Sequence, residues 1–209
     1  MNVHDDDFAL FGLARQFVQD PAQIDDRWKA LQRQVHPDKF AAQGAAAQRQ
    51  AMQWSVRINE ARQRLKDPVR RATYLCELHG QLIGAENNTA MPADFLMQQM
   101  QWREALDEAD DVTSLQALAD EVQQAQQETL HALGRSIDQQ QDYVAAAQQV
   151  RRLMFVQRFA QDVKTRQLQC RSGGGFLEAG RYLARLFSYY LSVHTRTLAH
   201  LRRAHPCLL

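Results

Sequence analysis

Residues 31–40 read LQRQVHPDKF and decide the fold, because they join two predicted helices through a short polar loop. Upstream, Asp20 and Pro21 favour a helix start, since an aspartate can cap the free amides and proline suits the first helical position. Pro37 ends this helix, because the residue before a proline, His36, is disfavoured in the helical conformation. The sequence therefore predicts two helices with a polar loop between them.

Helical spacing of apolar residues extends this prediction along most of the chain. Alanine and glutamine are abundant and β-branched residues are sparse, which also favours helix. We find no strand pattern, and we predict helices over residues 21–35, 45–66, 69–79, 93–109, 112–133 and 137–167. The predicted fold is all-α, with an N-terminal helical hairpin followed by a C-terminal three-helix bundle.

A change in composition divides the helical segments. Glycine, asparagine and proline cluster between the third and fourth predicted helices and indicate a linker. The predicted boundaries are 1–80 for the N-terminal domain, 81–93 for the linker, 94–167 for the three-helix domain and 168–209 for an atypical basic tail.

The tail differs from the rest of the chain, with six arginines, one acid and a local charge of about +5. Three interpretations are open: a basic partner-binding extension, a disordered appendage or an out-of-frame ending. We favour a dispensable tail, and a large loss of function on deleting residues 168–209 would contradict this.

The composition of the chain makes several function classes unfavourable. The formal net charge of +1 over 209 residues argues against a nucleic-acid binder. The three cysteines show no CxxC spacing, so we expect neither a zinc site nor another cofactor. We see no signal peptide and no apolar run long enough to cross a bilayer. These features predict a cytoplasmic protein without a membrane partner.

His36 and Asp38 could act as an acid–base pair or bind a metal, but no second cluster of ligand residues lies near them in the sequence. The chain also offers no phosphate-binding loop or nucleophile motif that would complete an active site. A purely structural helical protein would leave the His36-Pro37-Asp38 motif unexplained. We therefore expect a binding protein rather than an enzyme.

The motif and its surroundings resemble a J-domain, and the longer pattern resembles the HscB family, the J-type co-chaperones of iron–sulfur cluster assembly. The resemblance covers residues 6–166, which include a second domain that generic J-proteins lack. The matching segments are Phe8-x-Leu10-Phe11-Gly12-Leu13, residues 31–40, Ile58-Asn59-Glu60-Ala61, Arg71-Ala72-x-Tyr74-Leu75, Phe95-Leu96-Met97 and Arg103-Glu104-x-Leu106-Asp107-Glu108.

The resemblance implies that residues 1–80 are a J-domain that stimulates ATP hydrolysis by HscA, a DnaK-like chaperone. Asp38 could pair with an arginine of that partner, and the neighbouring basic side chains would steer the loop toward an acidic surface. The expected chaperone-binding residues are Lys29, Arg33, Gln34, His36, Pro37, Asp38 and Lys39.

The resemblance also implies that residues 94–167 bind a client, the scaffold protein IscU. The expected scaffold-binding residues are Leu96, Met97, Met100, Arg103, Glu104 and Phe155. Periodicity alone instead predicts Leu96 and Met100 in the bundle core. Where the family pattern has acidic residues, this chain has Gln98 and Gln101, a difference that could alter client binding. A generic J-protein that serves other clients is the alternative interpretation.

Overall fold

The computed structural model describes residues 5–84 and 91–170, and this part of the chain contains helices and no strand. A 3-10 segment, Pro37–Gln43, follows the second helix, and a π turn, Arg135–Gln139, follows the sixth. The α-helices are α1 (Asp7–Phe11), α2 (Pro21–Gln34), α3 (Ala45–Lys66), α4 (Pro68–Leu78), α5 (Ala93–Glu108), α6 (Val112–Gly134) and α7 (143–170).

Aspartate caps begin several of these helices. The carboxylates of Asp20 and Asp67 accept hydrogen bonds from backbone amides at 2.8 and 2.9 Å, and each is followed by a proline in the first turn. Asp111 caps α6 in the same way, at 2.6 Å from the amide of Ser114. Each cap satisfies an amide that the helix cannot pair internally. The predicted starts of α2 and α6 are therefore confirmed.

The N-terminal core forms where α1 and α4 pack on the hairpin of α2 and α3. Its largest fully buried side chains come from all four helices and include Phe8, Phe11, Ile24, Ile58, Leu65 and Leu75. A second core fills the space between α5, α6 and α7, where the Trp102 and Phe159 rings stack 5.5 Å apart. Together these cores account for the predicted hairpin and three-helix bundle.

The two regions share one core at their junction. The N-terminal core also contains side chains from the end of α6, the π turn and α7, namely Leu133, Ile137, Ala146, Ala147, Val150 and Leu153. The rings of His79, after α4, and Tyr143, in α7, stack with centroids 3.7 Å apart. Packed cores resist sliding, so this junction joins the hairpin firmly to the bundle.

Some predicted boundaries differ from the structure. The last helix was predicted from Ile137, but Ile137 lies in the π turn and α7 begins at residue 143. Residues 168–170 continue α7 rather than belonging to the tail, and residues 171–209 lie outside the described part. Ile83 lies in the predicted linker but is buried in the N-terminal core, and its carbonyl accepts a 3.0 Å hydrogen bond from Arg151. Residues 85–90 of the predicted linker lie outside the described part of the chain.

Candidate partner-binding surfaces

The His36-Pro37-Asp38 motif forms an exposed turn at the end of α2. His36 precedes the 3-10 segment, and its Nδ1 accepts a hydrogen bond from the Asp38 amide at 3.3 Å. The side chains of His36 and Asp38 remain 57% and 90% exposed. Proline fixes its own backbone torsion, so the turn presents both polar groups to solvent in a defined position.

Basic and polar side chains surround this turn. Lys29, Arg33, Gln34 and Lys39 are all exposed on the second half of α2 and in the 3-10 segment. Lys29 pairs with Asp26 at 3.3 Å, and such an exposed pair contributes little to stability. The predicted chaperone-binding residues are therefore close in the fold and accessible.

A polar network behind the turn holds α2 against α3. The Gln32 amide donates to Asn59 Oδ1 at 2.9 Å and accepts from the Ser55 hydroxyl at 2.8 Å. The Trp28 indole also donates to Asn59 Oδ1, at 2.8 Å. Such side-chain hydrogen bonds fix the register of the two helices. Sequence reasoning quoted Asn59 as part of the motif but did not assign it this positioning role.

Ion pairs brace the other end of the hairpin. Asp25 on α2 meets Lys66 and Arg62 on α3, at 2.7 and 2.8 Å. Hydrogen bonds from these two cations hold the pKa of Asp25 below its ordinary value of 3.8. Asp7 on α1 is fully buried and lies between the guanidinium groups of Arg57 and Arg64. These contacts stiffen the domain that carries the turn.

A Leu/Met patch lies on the outer side of α5. Leu96, Met97 and Met100 are 44%, 62% and 71% exposed, while Phe95 and Trp102 fill the core behind them. The prediction from periodicity that Leu96 and Met100 are core residues is therefore wrong. Exposed apolar side chains that share one helix face are typical of partner-binding sites, and methionine adapts to varied surfaces.

Phe155 on α7 packs against α5 at Phe95, the residue before Leu96. Its half-buried ring meets Phe95 edge-to-face at 5.6 Å and stacks on Phe159 at 6.1 Å. The guanidinium of Arg103 lies 6.0 Å from the centre of the Phe155 ring, and Glu104 is exposed beside Arg103 in the sequence. The predicted scaffold-binding residues thus combine an apolar patch with charged neighbours.

Across residues 5–84 and 91–170, no three His, Cys, Asp or Glu side chains are grouped so that they could hold a metal ion. Within the same residues, no helix combines the length and hydropathy needed to cross a bilayer.

An exposed His-Pro-Asp turn on a helical hairpin, followed by a helical bundle, defines a J-domain protein with a second domain. Residues 91–164 match the family described as HSCB C-terminal oligomerisation domain. The chain is 46% identical to the co-chaperone protein HscB homolog of Bordetella pertussis over 164 residues, covering 78% of this chain and 96% of the relative. Identity to the homolog of Burkholderia multivorans is 49%, covering 78% and 94%. The chain belongs to the HscB family of co-chaperones.

Solved structures agree with this family. Chaperone HscB from Vibrio cholerae superposes with a TM-score of 0.68 at 35% identity, covering 79% of this chain and 99% of that one. The human co-chaperone HscB gives a TM-score of 0.75 at 25% identity, covering 81% and 85%.

Proposed function

We propose that this protein delivers the iron–sulfur scaffold IscU to the DnaK-like chaperone HscA and stimulates its ATPase, which aids the maturation of iron–sulfur proteins. The observation that carries the proposal is the presence of two separate exposed surfaces on one body. The His36–Asp38 turn lies on the hairpin and the Leu/Met patch on the bundle, and the two regions share a core.

Contact with HscA rests on the exposed turn. The Asp38 side chain is 90% exposed, so its carboxylate, which lies 3.5 Å from His36 Nδ1, is accessible to an arginine of the partner for a charge-assisted hydrogen bond. The Asp38 backbone amide is held by its hydrogen bond to His36. Lys29, Arg33 and Lys39 add positive charge around the turn and would speed the encounter with an acidic surface. This part of the interface is polar, so we expect its affinity to fall as salt rises.

Contact with the scaffold rests on apolar burial. Leu96, Met97 and Met100 lose exposed surface when a partner covers them, which is the main favourable term in such an interface. Arg103 and Glu104 lie at the edge, where charges select a partner more than they add affinity. Gln101 is exposed, whereas Gln98 is half-buried and its side-chain oxygen accepts a 3.1 Å hydrogen bond from Arg152 on α7. Neither glutamine supplies the negative charge of the usual family pattern.

The proposed role is that of an adaptor rather than an enzyme, since ATP is hydrolysed on HscA and the scaffold is retained as the chaperone closes. The proposal assigns the protein to the cytoplasm, with no nucleic-acid or membrane partner. The near-neutral net charge of +1 supports the absence of a nucleic-acid partner.

The proposal is tested by measuring capture of labelled IscU on HscA during ATP turnover, with and without this protein. We expect capture to rise when the protein is added and to stay at background with His36→Gln or with the double variant Leu96→Ala/Met100→Ala. Stimulated ATP hydrolysis without binding of IscU would favour the alternative, a generic J-protein that serves other clients.

A further inference from the structure

Asp138 joins the bundle to the hairpin through two directed hydrogen bonds. Its carboxylate oxygens accept from the backbone amides of Phe17 and Val18, at 2.5 and 2.9 Å. Phe17 and Val18 lie in the loop between α1 and α2, whereas Asp138 lies in the π turn after α6. Hydrogen bonds to an ionised acceptor are stronger than neutral ones and depend on direction. We call this contact the Asp138 clamp.

The clamp lies beside an open cavity of about 490 Å³, and the loop packs against the hairpin on the other side. The buried ring of Phe17 lies under the Arg71 guanidinium, 5.1 Å away, and Arg71 donates to the carbonyl of Leu65 at 2.5 Å. A Cβ added at Gly134 would stand 3.5 Å from the Val18 side chain. The loop therefore rests directly on the end of α6, and Asp138 holds it there from an exposed position.

The backbone around Asp138 departs from regular helix. The π turn Arg135–Gln139 widens the end of α6, and Gln141 then adopts a positive φ of 54°. A left-handed conformation at a non-glycine residue is uncommon and persists only where the surroundings require it. The Asp142 amide donates to the carbonyl of Ser136 at 2.8 Å and fixes this irregular segment. The irregularity brings Asp138 to the loop instead of continuing the helix.

We propose that Asp138 is a positioning residue that sets the angle between the His36–Asp38 turn and the Leu/Met patch. The shared apolar core and the Arg151–Ile83 hydrogen bond join the two regions, and the clamp adds a further directed contact where the loop between α1 and α2 meets the π turn. The clamp adds direction, because it pairs one carboxylate with two adjacent amides. The inference rests on the proposed function, since a fixed angle matters only if both surfaces act on one assembly.

A fixed angle raises the effective concentration of the bound scaffold at its site on HscA. Loosening the clamp would spread the scaffold over more orientations without changing either surface. The expected signature is therefore selective. The stimulation of the HscA ATPase by this protein without the scaffold (the uncoupled stimulation) and the affinity of this protein for the scaffold should not change. The additional ATPase stimulation seen when the scaffold is also present (the coupled stimulation) should fall.

The test compares Asp138→Ala with Asp111→Ala in the full chain. Asp111 is a matched control, because its carboxylate also accepts from a backbone amide, that of Ser114 at 2.6 Å, but at the opposite end of α6. We expect Asp138→Ala to lower the coupled ATPase stimulation at least about threefold, with scaffold Kd and uncoupled stimulation unchanged. Asp111→Ala should leave all three quantities unchanged, and circular dichroism verifies that both variants are folded.

A distance measurement makes the test independent of the partners. Spin labels at Ala42, in the 3-10 segment, and Gln101, on α5, report the spacing of the two surfaces by pulsed electron resonance, with Cys170 and Cys207 replaced by serine. We expect a narrow distribution in the otherwise unchanged protein and a broader one with Asp138→Ala. Equal distributions, or equal loss of coupled stimulation in both aspartate variants, would overturn the inference. Absence of any coupled stimulation by the unchanged protein would overturn the proposed function. The distance distributions would still show whether Asp138 fixes the spacing of the two surfaces.

Discussion

Truncating the Leu/Met patch should weaken scaffold binding while leaving the protein folded. Full burial of a leucine or methionine side chain contributes about 1.5–3 kcal/mol. Met100 is 71% exposed and Leu96 is 44% exposed, so only that share of each side chain remains for a partner to cover. Scaled in this way, Leu96→Ala/Met100→Ala should cost about 2–3 kcal/mol of binding free energy, a loss of roughly 30- to 150-fold in affinity.

Isothermal titration of the scaffold into each variant measures this loss. Met52→Ala is the matched control, because Met52 is 61% exposed on α3, away from the patch. The buried share of the two side chains, scaled in the same way, should lower the free energy of unfolding of the double variant by about 1–3 kcal/mol, so circular dichroism verifies that the variant is folded. Affinity within threefold of the unchanged protein, or an equal loss with Met52→Ala, would refute the reasoning.

Three further predictions concern the body that carries the surfaces. Asp7→Asn should lower the free energy of unfolding by about 1–3 kcal/mol in urea denaturation, because the buried side chain loses its charge-assisted contacts with the partly exposed guanidinium groups of Arg57 and Arg64; a loss below about 0.5 kcal/mol would contradict this. Folding lowers the pKa of Asp25, so its stabilising contribution is complete well above pH 3.8 and is lost as pH falls through the folded-state pKa. The stability difference between the unchanged protein and Asp25→Asn should therefore shrink on acidification in denaturation series, and a difference independent of pH would argue against the ion pairs. Burial raises the pKa of the Cys76 thiol to about 11, so little reactive thiolate forms there at pH 8. Alkylation at pH 8, followed by mass spectrometry, should therefore modify Cys170 well before Cys76. Equal rates of alkylation would show that Cys76 is accessible.

The hairpin and its turn could be predicted because their signals are local. An aspartate followed by proline marks the start of α2 and, at Asp67, the start of α4, and both caps are present. Pro37 ends the first helix for a steric reason that does not depend on the rest of the fold. The exposed positions of His36 and Asp38 follow from the same turn, so the sequence was sufficient here.

The patch was ambiguous because α5 carries apolar residues on more than one side. Phe95, Leu96, Met97 and Met100 cannot all face the core, and periodicity does not state which side the other helices cover. The structure buries the large rings of Phe95 and Trp102, which fill more volume, and leaves Leu96 and Met100 outside. Tertiary packing thus leaves Leu96 and Met100 exposed, which the family resemblance had favoured and periodicity alone had not.

The phase of α7 was only partly predictable. Helical spacing places Val144, Ala147, Val150 and Met154 on one side of α7. Ala147 and Val150 are buried, but Val144 and Met154 are 57% and 40% exposed. The π turn and the break after it reset the start of the helix, and the polar segment that contains Asp138 gives no local signal for either. The clamp was missed for the same reason, since its partners are about 120 residues apart.

The most direct test of the central claim is the steady-state ATPase activity of HscA in the presence of IscU. The unchanged protein should raise the rate, and His36→Gln should return it to the level without co-chaperone while still binding IscU, because the patch lies on the other region. Full stimulation by His36→Gln, or none by a folded preparation of the unchanged protein, would contradict the account.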